Sequence, residues 1–557
     1  MTSRPDSPRG ASQDVASLRP GEEKRAPRSA IQRAEAETIM FASARALPLE
    51  YAEPFAPSED PRHAFGTRVR SKLVCRILLG LALVLQTTLT LRMHNTAFED
   101  EALYLYVGHL EIGHLLHGAA LQGDYPSYFS GSPVLYPVLG AAADTLGGLA
   151  AARAVSLLAM LGATALIYGM TRRLFNERTG LYAAVVFAVA EPTLFLGNLA
   201  TYDATALFLL ALAAWLVVWS AQRRLPLYLL AAPVLTVAVA TKYAALLWVP
   251  CVIALAGLAA WPRRGGRAMA NSIFLTVATA VLLAGAVRVA GPDYWKGIAS
   301  TTLQRAASNA TPGSLLWDCA QWIGLPVLLA LIGTVAYTRR PVTETAEVIA
   351  PAGGRLWRAA LGIVLTGSAL LAPANQIRID TFVSLQKHVG FGLLFAAPIA
   401  GVGLARIIGD HFRRVQFGVA VWGAALAFGM TQANDLFNAW PDSSVSVVEM
   451  ARYLHPGAHY LVEVPEVPIY YLRAHPDARP DQFTSTFTFT FGGLSGAQAY
   501  AEAIKDGYFS VAAFDYGDTS ATDQAIAHAL AVNPDYRLAV IVPENTGGRE
   551  YIWVRNG

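Results

Sequence analysis

The sequence predicts a polytopic α-helical membrane protein with about eleven transmembrane helices, interfacial helices in its first outer loop and a C-terminal extracytoplasmic α/β domain. Three observations predict this fold class. The 557 residues are 54% hydrophobic and only 15% charged, whereas soluble domains carry about 25% charged residues. The apolar residues are concentrated in the middle of the chain, and arginines recur in every second loop between the apolar runs.

Composition divides the chain into three parts. Residues 1–72 are polar, residues 73–431 contain the apolar runs, and residues 432–557 return to soluble-like composition. No signal-peptide pattern precedes the first apolar run, so we expect a disordered cytoplasmic segment at 1–72, followed by a signal anchor. The net charge of +3 is too small to indicate a nucleic-acid partner.

The apolar runs define the candidate transmembrane helices, each of which needs roughly 20 residues to cross the hydrocarbon core. In chain order, the predicted spans are 73–92, 152–170, 178–196, 204–221, 226–241, 244–260, 270–289, 322–338, 359–373, 388–405 and 415–431. Between the first two spans, stretches around 100–117 and 133–148 are helical but too polar to span, so we expect them to lie along the interface.

Arginine placement orients these spans. Alternate loops contain clusters such as those at Arg172, Arg223 and Arg263, whereas the stretch from Met93 to Ala152 contains no Lys or Arg. The positive-inside rule then places the N-terminus in the cytoplasm. An odd number of spans places residues 432–557 outside, so the predicted localisation is the plasma membrane with an extracytoplasmic C-terminal domain.

The C-terminal part has the pattern of an α/β domain. Strands are predicted at 460–464, 509–514, 537–542 and 551–554, and helices at 445–454, 497–505 and 520–531. Residues 484–491 have Thr at every even position and Ser or Phe at every odd one, and this period of two favours a further half-buried strand.

Acidic residues cluster at the predicted outer face. Asp100 and Glu101 follow the first span directly, and Asp203 begins the fourth. Carboxylates at a membrane boundary are unfavourable unless they meet water, a cation or a substrate. One of the first pair could be a general base for a hydroxyl group or a ligand of a divalent metal. The alternative is a set of helix N-termini that favour acids because of the helix dipole.

An ordered set of motifs resembles the C-type glycosyltransferase superfamily, in the branch of protein O-mannosyltransferases and lipid A aminoarabinose transferases (family 39-like), over residues 73–405. These motifs are Asp100-Glu101-Ala102 with Tyr104, Ser132-Pro133 with Tyr136-Pro137, Ala151-Ala152-Arg153, Asp203, Thr241-Lys242-Tyr243, and Lys387-His388 with Pro398. The resemblance implies that Asp100, with Glu101 beside it, is the catalytic base. It also implies Asp100 and Asp203 as ligands of a divalent metal, Mg²⁺ or Mn²⁺.

The same resemblance implies how a donor phosphate would be bound. Lys387 and His388 occupy a position that is commonly Arg-Tyr in the family, and Lys offers a point charge rather than a bidentate fork. Lys242 is a further candidate, unless it only anchors a helix end. Arg153 could bind phosphate or could instead pair with Asp100 or Glu101.

The predicted function is therefore that of a hexosyl- or pentosyltransferase. It would move a sugar from a polyprenyl-phosphate-linked donor to an acceptor hydroxyl at the extracytoplasmic face, by an inverting single displacement. Its partners would be that donor, membrane lipid and a protein, lipid or glycan acceptor, with no nucleic acid. One alternative is a secondary transporter, which would place ionisable groups near the membrane midplane, and another is a non-enzymatic scaffold.

Overall fold

The computed structural model describes residues 61–557 except 93–94, 122, 222, 224–225, 306–309, 343–353, 410–412, 440, 518, 545 and 557, and describes side chains from residue 72. The predicted disordered segment thus lies outside the described residues up to residue 60. The first helix already begins at Pro61. Residues Val69–Gly557 form one compact unit, so the C-terminal domain packs together with the membrane helices.

The membrane region is built from helices joined by short connections. They are α1 (Pro61–Thr90), α2 (Glu99–His117), α3 (Tyr136–Leu174), α4 (Glu177–Ala188), α5 (Glu191–Asn198), α6 (Tyr202–Ser220), α7 (Ala231–Thr241), α8 (Val249–Arg264), α9 (Met269–Ala290), α10 (Pro292–Ile298), α11 (Pro312–Arg339), α12 (Arg355–Gly367), α13 (Leu371–Ile379), α14 (Leu385–Ile408) and α15 (Val415–Phe437). Short 3₁₀-helices lie at Tyr125–Ser127, Leu227–Leu230, Tyr243–Trp248, Gly265–Ala268 and Ser368–Leu370, and a π-helical turn lies at Ala299–Leu303.

Each predicted span coincides with a helix or a bent helix pair of this region. Seven described stretches are long and apolar enough to cross a membrane, or eight if the bent pair α4–α5 forms one span. The predicted number of about eleven is not confirmed by this criterion. One reason is that Tyr243–Ala290 counts as a single stretch although it contains α8 and α9, and another is that Leu227–Thr241 is short.

Two breaks shape the outer side of the bundle. In α3, Gly147 and Gly148 leave helical geometry, and Gly148 has a φ of 66°, a left-handed value that glycine adopts without strain. This break separates the predicted interfacial segment from the spanning part of α3. A second break bends α4 against α5 by 62°, next to Pro192, whose ring cannot continue the preceding helix.

Helix α14 lies at the centre of the bundle, because 83% of its apolar 18-residue stretch is buried inside the protein. Glycines allow this packing, because a Cβ on Gly403 would lie 2.0 Å from the Leu329 carbonyl oxygen and one on Gly333 2.0 Å from that of Ile399. Small residues let membrane helices approach closely in this way. The first turn of α14, which carries Lys387 and His388, is thereby fixed inside the bundle.

The C-terminal domain is a mixed sheet covered on both faces. Its elements are α16 (Ser444–Ala451), β1 (Tyr460–Val462), α17 (Glu466–Leu472), a helical turn (Pro480–Gln482), β2 (Phe483–Ser485), β3 (Thr490–Phe491), β4 (Leu494–Ser495), α18 (Ala497–Lys505), β5 (Val511–Phe514), α19 (Ser520–Val532), β6 (Tyr536–Pro543) and β7 (Arg549–Arg555). The strand order is β2-β1-β5-β7-β6, in which β1 is parallel to β2 and β5 and the remaining pairs are antiparallel.

Alternation along the strands produces the two cores of this domain. Tyr460 and Val462 of β1 pack with Met450 on one face, whereas Leu461 packs with Tyr500 on the other. The α/β architecture is as predicted. The single strand expected at 484–491 is wrong, because β2 ends at Ser485, β3 begins only at Thr490, and the Thr486 side chain between them bonds the hydroxyl of Thr519.

Candidate active site

The N-terminus of α2 is anchored by Glu101. The Glu101 side chain is fully buried and accepts a hydrogen bond from the Phe98 backbone N–H at 2.9 Å, which caps the helix. Arg153 of α3 holds the same carboxylate with two bonds of 2.8 and 2.7 Å. The backbone N–H of Ala200, just before α6, adds a third donor at 2.7 Å. Glu101 therefore ties three segments of the chain together.

The guanidinium of Arg153 is engaged on its other side as well. It donates to the backbone carbonyls of Asn95 and Thr96 at 3.0 and 3.1 Å, and little of its side chain is exposed. Of the two alternatives left open by the sequence, the structure places Arg153 in the pairing with Glu101. That pairing is the bidentate geometry that arginine favours with carboxylates.

Asp100 points away from Glu101 and meets Lys387. The Lys387 ammonium donates to Asp100 Oδ2, and the Tyr104 hydroxyl donates to Oδ1 at 3.0 Å. The Asp100 side chain stays 30% exposed, whereas that of Lys387 is only 5% exposed. Burial opposes ionisation of Asp100, but the charges of Lys387 and Lys242 outweigh it, so the pKa of Asp100 lies below its ordinary value.

A second acid–lysine pair lies next to the first. Lys242 Nζ is 3.2 Å from Asp203 Oδ1, and both side chains are buried. Thr201 donates to the other carboxylate oxygen at 3.2 Å. Both side chains are almost fully removed from water, so each charge is compensated by its contact with the other.

Hydroxyl groups connect the two pairs. Tyr104 and Tyr202 are linked through their hydroxyls at 2.6 Å, and their rings stack with centroids 4.3 Å apart. Tyr202 also bonds Ser130 at 2.6 Å, and Lys242 donates to that serine at 3.2 Å. Lys387, Asp100, Asp203 and Lys242 are therefore joined through one network. The sequence analysis did not identify Tyr202 or Ser130, since nothing local marks a contact between positions this distant in sequence.

Backbone pairing positions Lys242 beside Ser130. Ser132 N–H donates to the Ala240 carbonyl at 2.8 Å, and Tyr243 N–H donates to the Ser130 carbonyl at 2.9 Å. Between them, a Cβ on Gly131 would lie 2.0 Å from the Thr241 carbonyl oxygen. Only glycine permits this approach, so Gly131 sets the distance between the outer loop and the end of α7.

A cavity of about 790 Å³ begins at His388, the neighbour of Lys387. Apolar residues, including Trp248 and Ile379, form much of its wall, and Arg305 contributes a cation. Among the described residues, no hydrogen bond reaches the buried atoms His388 Nε2, Gln376 Oε1 and Tyr243 Oη. A cavity with an apolar wall, a cation and unpaired polar atoms suits an amphiphile with an anionic group.

The predicted metal ligands do not form a metal site. Asp100 and Asp203 each face a lysine. Across the part of the chain that the structure describes, no group of three His, Cys, Asp or Glu side chains could hold a metal ion. Divalent cations prefer several oxygen ligands, and this donor set does not provide them. The metal therefore stays a prediction, and no step below uses one.

A second cavity, of about 830 Å³, lies between the start of α2 and the C-terminal domain. It opens at the carboxyl ends of the parallel strands β1 and β5. The chain leaves these two strands in opposite directions, and ligands often bind α/β sheets at such a point. Its acidic lining residues are Glu99, Glu463, Asp515, Glu544 and Glu550.

Two of these acids, Glu463 and Asp515, are hydrogen-bonded to each other, and each affects the pKa of the other. Glu463 is buried, yet hydrogen bonds from Asp515 and from the backbone N–H groups of Asp515, Gly517 and Thr519 hold its pKa below the ordinary value. Burial, with Glu463 next to it, raises the pKa of Asp515 to about 8. At neutral pH this cavity therefore keeps at least one negative charge and one protonated acid.

Two comparisons with known proteins find similarities to this chain. The family model of dolichyl-phosphate-mannose-protein mannosyltransferases matches residues 143–289. ArnT from Cupriavidus metallidurans bound to undecaprenyl phosphate is 15% identical with a TM-score of 0.56, covering 86% of this chain and 97% of that one. The chain has the fold of the C-type glycosyltransferases. The resemblance deduced from the motifs and the predicted fold class are thereby confirmed.

Other solved structures share this C-type fold. The apo state of ArnT from Cupriavidus metallidurans is 15% identical, with a TM-score of 0.52 and coverage of 88% of this chain and 98% of that one. Archaeal oligosaccharyltransferase AglB from Archaeoglobus fulgidus, in complex with an inhibitory peptide and a dolichol-phosphate, is 12% identical, with a TM-score of 0.51 and coverage of 86% and 74%. No curated protein sequence matches the chain. The long apolar helices, together with the membrane proteins among these structural relatives, indicate an integral membrane protein.

Proposed function

We propose that this protein is a glycosyltransferase that moves a sugar from a polyprenyl-phosphate-linked donor to an acceptor hydroxyl. The observation that carries the proposal is the Asp100 carboxylate, which is held by Lys387 of α14. The next residue of α14, His388, lines a cavity that suits an anionic amphiphile. The ligands of the structural relatives support the donor class, because ArnT was solved with undecaprenyl phosphate and AglB with a dolichol-phosphate.

The donor would lie with its prenyl chain along the apolar wall beside Trp248 and its phosphate towards His388 and Arg305. Lys387, which precedes His388, would face the oxygen that joins the phosphate to the sugar. Lys242 adds a second positive charge to the same network. Preorganised cations of this kind stabilise charge that develops on a leaving group.

The reaction would be a single displacement. The acceptor oxygen forms a bond to C1 of the sugar while the bond between C1 and the phosphate oxygen breaks, through an oxocarbenium-like state. The electron pair of the broken bond goes to the phosphate oxygen, and the acceptor proton goes to Asp100. Because one bond replaces another from the opposite side, the anomeric centre is inverted.

Asp100 is in the correct charge state for this role. Its pKa lies below the ordinary value, so the carboxylate is ionised at neutral pH and can take a proton. Glu101 and Arg153 would instead act as positioning residues. Their bidentate pair fixes the helix end that carries Asp100. Asp203 would hold Lys242 in place.

The acceptor would enter from the side opposite the donor. The cavity of about 830 Å³ includes Phe98 and Glu99, directly before Asp100, and continues into the C-terminal domain. Its acidic lining disfavours an anionic acceptor and suits hydroxyl groups, which donate hydrogen bonds to carboxylates. By the positive-inside rule, this side faces outwards, and transfer would occur at the extracytoplasmic face.

The donor class is tested with purified protein in lipid vesicles. Radiolabelled polyprenyl-phosphate sugars and the matching nucleotide sugars are supplied in parallel, with a membrane extract as the source of acceptor. We expect label transfer, and release of polyprenyl phosphate, only from the lipid-linked donors. Transfer from a nucleotide sugar instead would contradict the proposal.

A further inference from the structure

A third cavity, of about 640 Å³, lies among the membrane helices and shares no lining residue with the other two. Its walls come from the bent pair α4–α5, from α11 and from α15. At its inner wall stands Glu191, the first residue of α5, whose side chain is fully buried. Neither of its carboxylate oxygens has a hydrogen-bond partner among the residues that the structure describes.

The bend between α4 and α5 puts Glu191 in this position. A Cβ on Gly429 would lie 1.8 Å from the Val189 carbonyl oxygen and 3.3 Å from Glu191 N, so α15 packs directly onto the break. The carboxylate lies at the N-terminus of α5, where the helix dipole helps only modestly. A buried carboxylate without a partner is strongly unfavourable, and a ligand that enters the cavity could supply the partner that Glu191 lacks.

The lining of the cavity indicates the chemistry of that ligand. Besides Glu191, the amide side chains of Gln321 and Gln432 supply acceptor oxygens, and the described lining residues include no Lys, Arg or His. Gln432 Nε2 donates to the Gln321 backbone carbonyl at 2.5 Å. A lining rich in acceptors and without a cation is complementary to a positively charged hydrogen-bond donor.

The mouth of the cavity opens on the outer surface of the helix bundle. Gln321 is exposed there, Gln432 is half-buried, and Phe428 beside them is 58% exposed. This surface faces the bilayer in a membrane protein. Helix α5 places Glu191 within about 12 Å of Asn198 along the chain, close to the membrane boundary at which α6 begins. The position therefore lies within reach of lipid headgroups.

We propose that this cavity binds the primary ammonium headgroup of a membrane lipid such as phosphatidylethanolamine. The ammonium group has three N–H donors, which match the two Glu191 oxygens and a glutamine amide oxygen. A trimethylated ammonium has no N–H donor, and an anionic headgroup is repelled by the carboxylate. The site is thus selective for lipids with a free amine, and it does not depend on the transferase reaction.

Native mass spectrometry of the full-length protein tests the headgroup chemistry directly. The wild type is titrated with phosphatidylethanolamine, its mono- and dimethylated forms, phosphatidylcholine and phosphatidylglycerol, all with the same acyl chains. We expect occupancy to fall with each added methyl group, with phosphatidylethanolamine bound about tenfold more tightly than phosphatidylcholine, a typical value for a charged hydrogen bond. Equal binding of these two lipids, or displacement by free ethanolamine at equal concentration, would overturn the proposal.

Variants locate the site. Glu191→Gln keeps the size of the side chain and removes its charge, so the preference for the primary amine should disappear. Asp318→Asn is the matched control, because it removes a carboxylate from α11 outside the cavity and should leave the preference intact. Retention of the full preference by Glu191→Gln would refute the assignment. Thermal melting of both variants in detergent shows that they are folded.

Discussion

Asp100 and Glu101 are adjacent in sequence, but their carboxylates face different cations. The Asp100 carboxylate pairs with Lys387 and stays partly exposed to solvent. The Glu101 carboxylate is fully buried and is bound by Arg153 and by the backbone N–H of Ala200. A lysine ammonium is a point charge that can change partners, whereas an arginine guanidinium binds a carboxylate through two hydrogen bonds in a fixed geometry. The difference between a proton acceptor and a structural anchor therefore comes from the residue type that each acid meets.

Removal of Lys387 should change the pH dependence of transfer. In the wild type, the depressed pKa of Asp100 means that the carboxylate loses its function only when the pH falls below its ordinary value of 3.8. In Lys387→Met, the Lys387 charge no longer offsets the burial of Asp100, so the pKa of Asp100 rises and the acid limb of kcat/KM moves upwards with it. Tyr104, Lys242 and Glu466, which also influence this region, are unchanged.

The control for that profile is Lys296→Met. Lys296 is exposed and pairs only locally with Asp293, so the acid limb should stay where the wild type has it. If the acid limb of kcat/KM in Lys387→Met stays at its wild-type position, a different group takes the acceptor proton.

At the scale of elements, the site exists because loop segments are clamped between helices. The Glu101–Arg153 pair joins α2, α3 and the start of α6, and Gly131 allows the outer loop to pair with the end of α7. These contacts are polar, whereas the positions of the apolar helices are set by hydrophobicity. The geometry of the active site thus depends on a few buried polar contacts rather than on the membrane bundle as a whole.

Arg153→Met tests whether this arginine is a clamp or a phosphate ligand. As a clamp, its loss leaves Glu101 buried and unpaired, which should destabilise the fold by about 3–5 kcal/mol. The melting temperature in detergent would fall, and the donor KM of the remaining folded enzyme would change little. Arg267→Met, an exposed cytoplasmic-side control, should melt like the wild type. A normal melting temperature together with a raised donor KM would instead identify Arg153 as a phosphate ligand.

Much of this arrangement could be predicted from sequence, but its contacts could not. The apolar runs gave the helix positions because hydrophobicity acts locally, and the motifs pointed to Asp100, Asp203, Lys242 and Lys387. The link from Tyr104 to Tyr202 joins residues 98 positions apart, which no local pattern reveals. The bend at Pro192 did have a signal, since a proline early in a helix marks a break, but the sequence analysis treated 178–196 as one span.

At the scale of the whole molecule, the two cavities share no lining residue, and each includes a neighbour of the Asp100–Lys387 pair, Glu99 in one and His388 in the other. One leads among the membrane helices, and the other leads into the C-terminal domain. This division suits a lipid-borne donor and an acceptor that arrives from outside the bilayer. It requires the C-terminal domain to be extracytoplasmic.

Cysteine labelling in intact cells tests that orientation. The three native cysteines are buried, so background labelling by a membrane-impermeant maleimide should be low. We expect Ser495→Cys, on the exposed β4 strand, to react from outside. Gly266→Cys, in the turn between α8 and α9, should react only after the membrane is permeabilised. The reverse pattern would place the active site on the cytoplasmic face.

The most direct test of the account is transfer by Asp100→Asn in a single turnover with saturating polyprenyl-phosphate sugar. The amide keeps the shape of the side chain but cannot take a proton, so we expect donor binding to persist and transfer to fall by a factor of about 10²–10⁴. Asp124→Asn, the same change at an exposed position of the first outer loop, should transfer at the wild-type rate. Full transfer by a folded Asp100→Asn protein would contradict the central role given to this carboxylate.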